Sequence, residues 1–298
     1  MTTQQNVIVG LSRDTAQPLD STRPDNLLNP SAPGLQFKVN GWLSSNWLFF
    51  SIPGILLILG FALPLLVLIW RGLTSGFLHY LSNQSFLAAI SLSLQTSFLA
   101  ALATIGFGTP LAYWLARRPL RHKAWLELII DLPVVMPPLI AGIALLLAFG
   151  RSSPLGAMLD SAGIRLPFTT AAVVMAQMFV SAPLYIRSAR LGFASVSGEL
   201  VEAAYTEGAH EGIVFSQIML PLAFRAMLNG LVLCWARAFG EFGATIVFAG
   251  NMEGSTQTMP LAIFIGFESD LGLALSLSVI LVFISAVVLF FLRKLEKN

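Results

Sequence analysis

The chain has 298 residues, of which 56% are hydrophobic and only 11% charged, with a net charge of +2 and a mean hydropathy of +0.77. Soluble domains carry roughly 25% charged residues, so this composition argues against a water-soluble enzyme, and its apolar bulk excludes general disorder. One cysteine, Cys234, excludes an intramolecular disulfide and any multi-cysteine metal site, and the small net charge leaves no polycation to hold nucleic acid.

The first 45 residues are rich in Asn, Gln, Ser, Thr, Pro and Asp. No apolar run follows a basic start, so they do not read as a cleavable signal; they are expected to form a flexible tail, with Trp42 and Trp47 at the membrane interface. Six apolar blocks follow, at about 47–70, 86–115, 126–149, 169–186, 227–249 and 271–292. A bilayer core of about 30 Å takes about 20 apolar residues in helix, and lipid demands that backbone polar groups be satisfied within the segment. The predicted fold class is therefore all-α, a polytopic membrane protein with six transmembrane helices in a domain over 46–298.

The second block carries Ser93, Ser97, Ala100 and Thr104 on one helical face, a pattern that marks helix–helix contact or a polar path. The third contains Asp131, near one end, and Pro133, Pro137 and Pro138, which predict a kink and make this a candidate gate. Met175, Met178 and the many Phe residues read as packing. The fifth contains Arg237 and Glu241. Intramembrane charges should face protein or water, and a spacing of four places the two on one helical face, able to pair. Three roles stay open: a structural ion pair, a planar guanidinium beside the path of an oxyanion, or a gating contact. Gly240 and Gly243 are expected to allow close packing.

Orientation follows from Lys and Arg. Arg117, Arg118, Arg121 and Lys123 lie between blocks two and three; Arg187, Arg190 and Arg225 lie between four and five; Arg293, Lys294 and Lys297 close the chain. The opposite side has Arg71, Arg151 and Arg165, and its last loop carries Glu253, Glu268 and Asp270. Both termini are thus expected in the cytoplasm.

Between blocks four and five, residues 197–221 are polar and ordered in composition. Ser197 is a candidate N-cap, Glu199 and Glu202 suit the start of a short helix, and Gly208 and Gly212 are expected to end helical turns at positive φ. Pro221 suits the first turn of the next helix. Two short helices across the inner face are predicted.

This stretch resembles the coupling loop of ABC importer permeases: Glu202-Ala203-Ala204, three residues, Gly208, nine residues, Ile218, one residue, Leu220-Pro221. The run Arg237-Ala-Phe-Gly-Glu-Phe-Gly-Ala-Thr, ending in Ala-Gly-Asn251, and the segment Thr258-Met259-Pro260-Leu261 resemble the molybdate/tungstate–sulfate branch of that family. The resemblance covers about 50–293, with the family core at about 86–293. It implies a type I importer fold. A homodimer would carry the path at its two-fold interface, and an extracytoplasmic oxyanion-binding protein would feed it. Two copies of a separate ATP-binding subunit would grip residues 202–208, with ATP and Mg held in that subunit. It implies transport of a tetrahedral oxyanion, molybdate foremost, with sulfate, thiosulfate or tungstate as alternatives.

The chain itself has no Gly-x4-Gly-Lys-Ser/Thr loop and no His-Glu-x2-His helix. It has no Gly-x-Ser-x-Gly elbow with a partner His. No cofactor or metal is expected in it, and it is not expected to be an enzyme. Two rivals of other classes remain. An intramembrane enzyme predicts activity in the isolated chain; a passive anion channel predicts flux without ATP.

Overall fold

A computed structural model of the chain describes residues 47–118 and 121–297. The expected tail, with Trp42, lies outside the described residues. By its internal contacts the chain divides into Met1–Leu59 and Gly60–Asn298. The described part of the first unit is the opening half of α1 (Trp47–Thr74); the second unit holds the rest of α1 and every later helix.

After α1 come a single turn, α2 (Phe77–Tyr80), and the long α3 (Gln84–Arg117). Asn83 starts α3 by accepting the Phe86 N–H at 3.2 Å, the standard satisfaction of a free helix donor. Then follow α4 (Lys123–Val135), α5 (Pro138–Phe149), α6 (Pro154–Ser161) and α7 (Thr170–Ala194). Next is α8 (Gly198–Thr206); α9 (Glu211–Ile213) then runs through a π-helical segment, Val214–Met219, into α10 (Leu220–Phe239). The chain ends with α11 (Gly243–Phe248), α12 (Met259–Ser269) and α13 (Leu271–Lys297). No strand occurs among the described residues. Five helices are long and apolar enough to span a bilayer, or six when α4 and α5 count as one broken span.

The centre is α7, which packs most extensively on α10 and α3. Its small residues explain why. A Cβ on Gly230 of α10 would lie 2.5 Å from Ser188 Cβ, so hydrogen at that position lets the two backbones approach. Beside it the Ser188 hydroxyl donates to the Ala226 carbonyl at 2.6 Å. The predicted face of α3 is a helix–helix contact: Ser93, Ser97, Ala100 and Thr104 are wholly buried. Ser97 accepts the Trp235 indole N–H at 3.0 Å, tying α3 to α10. Ser93 accepts the Met259 N–H at 2.6 Å and so caps α12. The Tyr80 hydroxyl donates to Asp270 at 2.7 Å, joining α2 to the α12–α13 junction. That bond holds the Asp270 carboxyl below its ordinary value and pushes the Tyr80 hydroxyl above its own.

Several expectations are corrected. The third block is not one helix: α4 and α5 meet at 117°. Met136 and Pro137 have extended backbone (ψ 140° and 129°), and Pro137 disfavours a helical Met136 because its ring clashes with the residue before it. Pro133 lies inside α4 without breaking it. The fourth span continues to Ala194, so Arg187 and Arg190 sit on a helix rather than in a loop. Arg190 pairs with Glu127 of α4 at 3.0 Å, which gives that extra length a tertiary reason. The fifth span runs from Glu211 to Phe239, not from 227 to 249. The end of the predicted fifth block is a separate short helix, α11, and the supposed outer loop beyond it contains α12.

Candidate functional site

The loop 197–221 is built around α8. Ser197 occupies the N-cap position without a side-chain cap bond. The other end is a Schellman turn: Gly208 N–H donates to Tyr205 O and Ala209 N–H to Ala204 O, both at 3.0 Å. Gly208 has φ +88°, a conformation glycine adopts without Cβ strain. The turn explains the Glu-Ala-Ala-x3-Gly spacing. Ala204 and Ala209 close it from the inner side, packed against the core with Ile218 and Leu220. Glu202, Ala203 and Gly208 stay exposed on the outer side. Leu200 and Tyr205 are also exposed there, 46% and 45%, and give α8 an apolar surface among carboxylates.

The rest of the motif sits differently from the expectation. Gly212 does not take positive φ, and it lies within α9. No second free helix follows α8. Instead α9, the π segment and α10 form one continuous 29-residue run. Pro221 is in the first turn of α10 but directly after the π segment. Proline lacks an N–H and its ring crowds the carbonyl four residues back; the wider π turn relieves that crowding.

The intramembrane charges lie about 24 Å further along, at about 1.5 Å per residue from Pro221. Arg237 is in the last turn of α10. Glu241 is beyond the helix end, in the break before α11, so the two do not share one helical face as expected. They pair nonetheless: Arg237 Nη1 lies 2.5 Å from Glu241 Oε2. The other carboxylate oxygen, Oε1, accepts the Ala244 N–H at 2.8 Å. Glu241 is 1% exposed and Arg237 34%. Every oxygen of the buried carboxylate is thus satisfied, as burial of a charge requires.

This break meets the other one. A Cβ on Gly243 would lie 2.7 Å from Pro138 Cβ, and a Cβ on Gly142 would lie 2.8 Å from the Ala244 carbonyl oxygen. Pro138 therefore belongs with Glu241 in one place, where α11 packs on the start of α5. Gly240 does not serve close packing; only Ala236 O approaches it, at 3.8 Å. Pro133 is elsewhere, with Met175 and Met178 on an apolar cavity of about 320 Å³ lined by α4, α5 and α7. The motif from Glu202 to Pro221 and the Arg237–Glu241 pair are separate places in the fold: the first spans α8 and the start of the Glu211–Phe239 run, and the second lies at that run's far end.

Sequence reasoning missed the clamps around α11. Phe168, with φ +62°, donates its N–H to Phe248 O at 3.2 Å, and Thr170 donates to Ser255 O at 2.9 Å. The only local signal was an aromatic residue before Thr169-Thr170, which carries no length or period. Gln177, wholly buried on α7, has no hydrogen-bond partner on either side-chain atom.

The described residues thus form a helical bundle with five or six candidate membrane spans, an exposed short helix α8, and two helix breaks that meet at Gly243 and Pro138. Residues 108–298 match the family of binding-protein-dependent transport system inner membrane components. The chain belongs to that family. It is 39% identical over 232 residues to the probable transport system permease protein NifC of Clostridium pasteurianum, covering 77% of this chain and 81% of that one. It is 38% identical over 242 residues to the molybdenum transport system permease protein ModB of Mycobacterium tuberculosis, covering 81% and 91%. The sulfate transport system permease protein CysW of Synechococcus elongatus is 36% identical over 187 residues, 63% of this chain and 65% of that protein. Among solved structures, a bacterial ABC transporter that imports the acidic polysaccharide alginate aligns with a TM-score of 0.68. It covers 86% of this chain and 96% of that one at 16% identity, a likeness of fold. The chain is a permease component of an ABC importer in the inner membrane.

Proposed function

We propose that this permease imports a tetrahedral oxyanion, molybdate foremost, by alternating access. The observation that carries the reading is the similarity to molybdenum transport permeases along nearly their whole length, 91% of the Mycobacterium tuberculosis protein. The intramembrane Arg237 supports an anionic cargo, since a planar guanidinium matches tetrahedral oxygens. Two copies of the chain form the path at their two-fold interface, and an extracytoplasmic binding protein delivers the ion. Two ATP-binding subunits, which hold ATP and Mg, grip α8 through Glu202, Ala203 and the exposed turn at Gly208. Ile218, Leu220 and Pro221 pass that movement into α10, and the breaks at Pro137–Pro138 and Gly240–Phe242 form the gate. Both termini face the cytoplasm, by the distribution of Lys and Arg. Coupling arises because ATP favours one of two states. Sulfate, or its congeners thiosulfate and tungstate, is the second reading, favoured by the 36% identity to CysW.

The test is uptake of labelled molybdate, with sulfate as competitor, in cells carrying the transporter genes and in a deletion of this one. Uptake is expected to vanish in the deletion and to resist excess sulfate. Loss of sulfate uptake with molybdate uptake intact would assign the cargo to sulfate. Flux that persists without the ATP-binding subunit would mean a passive channel.

A further inference from the structure

We infer that Glu241 is a resident counter-anion that cargo displaces from Arg237, so that arrival of an oxyanion loosens the break between α10 and α11. The inference rests on the oxyanion-import reading. It starts from the asymmetry of the pair. Arg237 is 34% exposed and Glu241 1%, so an ion approaching from the open side meets the cation first. A guanidinium offers five N–H donors in a fixed fork. Glu241 takes one of them through Oε2, which leaves donors to engage a second anion.

The two oxygens of Glu241 do different work. Oε2 holds the last turn of α10 through Arg237, and Oε1 holds the first turn of α11 through Ala244 N–H. One carboxylate therefore fixes the turn 240–243. That turn is pressed against the second break: Gly243 is seated on Pro138, and the Leu139 N lies 3.1 Å from where a Gly243 Cβ would be. Movement of α11 must be felt at the α4–α5 break.

The location suits cargo arrival. Phe239 packs with Phe86 and Ala89 of the first turns of α3 and with Met259 at the start of α12, the end opposite α8. A dianion on Arg237 weakens its bond to Glu241. The carboxylate is then buried with a single N–H donor, and a buried charge that loses its partner is strongly unfavourable. The turn relieves this by rearranging. Cargo thus binds one arrangement of the break better than the other, which is the condition for coupling.

The experiment uses the purified permease with its ATP-binding subunit in lipid, stimulated by molybdate-loaded binding protein. In Glu241→Gln the amide oxygen still accepts Ala244 N–H but the charge is gone. Its basal ATPase is expected to rise, and stimulation by loaded binding protein to fall about fivefold or more. Arg237→Gln with Glu241→Gln removes both charges together and leaves no orphan. This neutral pair is expected to assemble with wild-type yield and melting temperature, yet to show no stimulation and no uptake. A neutral pair that transports like the wild type would make the ion pair structural only and overturn the inference. Wild-type basal and stimulated rates in Glu241→Gln would overturn it as well. If Glu241→Gln fails to assemble, the neutral pair decides. A wild-type complex unresponsive to both molybdate- and sulfate-loaded binding protein would instead overturn the oxyanion reading itself.

Discussion

At the scale of single residues, Gly208 shows how a backbone conformation can carry a motif. Nothing lies within 4 Å of where its Cβ would be, so space does not demand glycine there; the φ of +88° does. A β-branched residue at such a φ is a genuine outlier, and strain of this kind costs about 1–3 kcal/mol. Gly208→Val is expected to open the Schellman turn and misalign α8, while leaving the spanning helices folded. The measurement is ATPase stimulation by loaded binding protein beside membrane yield: yield should hold and stimulation should fall. Equal stimulation would remove α8 from the coupling role. The residue-level signals that were legible in the sequence share a feature. Gly208, Ser93 and Ser97 announced themselves by spacing within one helix or loop. The pairing of Glu241 with Arg237 was legible in the same way; Phe168 and the second oxygen of Glu241 were not, because their partners, Phe248 and Ala244, are chosen by how the chain breaks and folds.

At the scale of elements, the decisive objects are the short helices. α11 has 6 residues and α12 has 11, too few to cross a bilayer, and α11 is too short to show a helical period. By hydropathy alone, α11 joined the span before it and α12 fell into a loop. Their existence depends on partners: Glu241 on the first turn of α11, Ser93 on the N–H of Met259, Phe168 on the carbonyl of Phe248. Irregular backbone at membrane depth persists only where protein resatisfies it, and these contacts do so. The packing is correspondingly tight. Gly243→Val would drive a branched side chain into Pro138 and Leu139, and overpacking of this kind costs about 1–3 kcal/mol. It is expected to lower the melting temperature of the detergent-purified protein and to abolish uptake. Gly240→Ala, where only Ala236 O approaches, is expected to do much less. An equal effect of the two substitutions would mean that the α11–α5 contact is not the seat of the constraint.

At the scale of the whole molecule, the orientation is open to a direct measurement. Cys234 is buried, so Thr206→Cys, on the exposed turn at the end of α8, places a single accessible thiol. An impermeant maleimide is expected to leave intact spheroplasts unlabelled and to label inside-out vesicles. Labelling of intact spheroplasts would put α8 outside the cell and end the coupling account. Local composition is enough to specify the number and rough place of the long apolar blocks, the preference for helix, the charge asymmetry, and the motif from Glu202 to Pro221. Lipid imposes length and hydropathy on any segment that crosses it, so these features are written into each segment separately. Three-dimensional packing is needed to specify the 117° bend between α4 and α5, the continuity of α9 with α10, and the seating of Gly243, beside the Arg237–Glu241 pair, on Pro138. The bend and the seating of Gly243 on Pro138 depend on groups about a hundred residues apart in sequence, and no window of sequence contains both halves of such a contact.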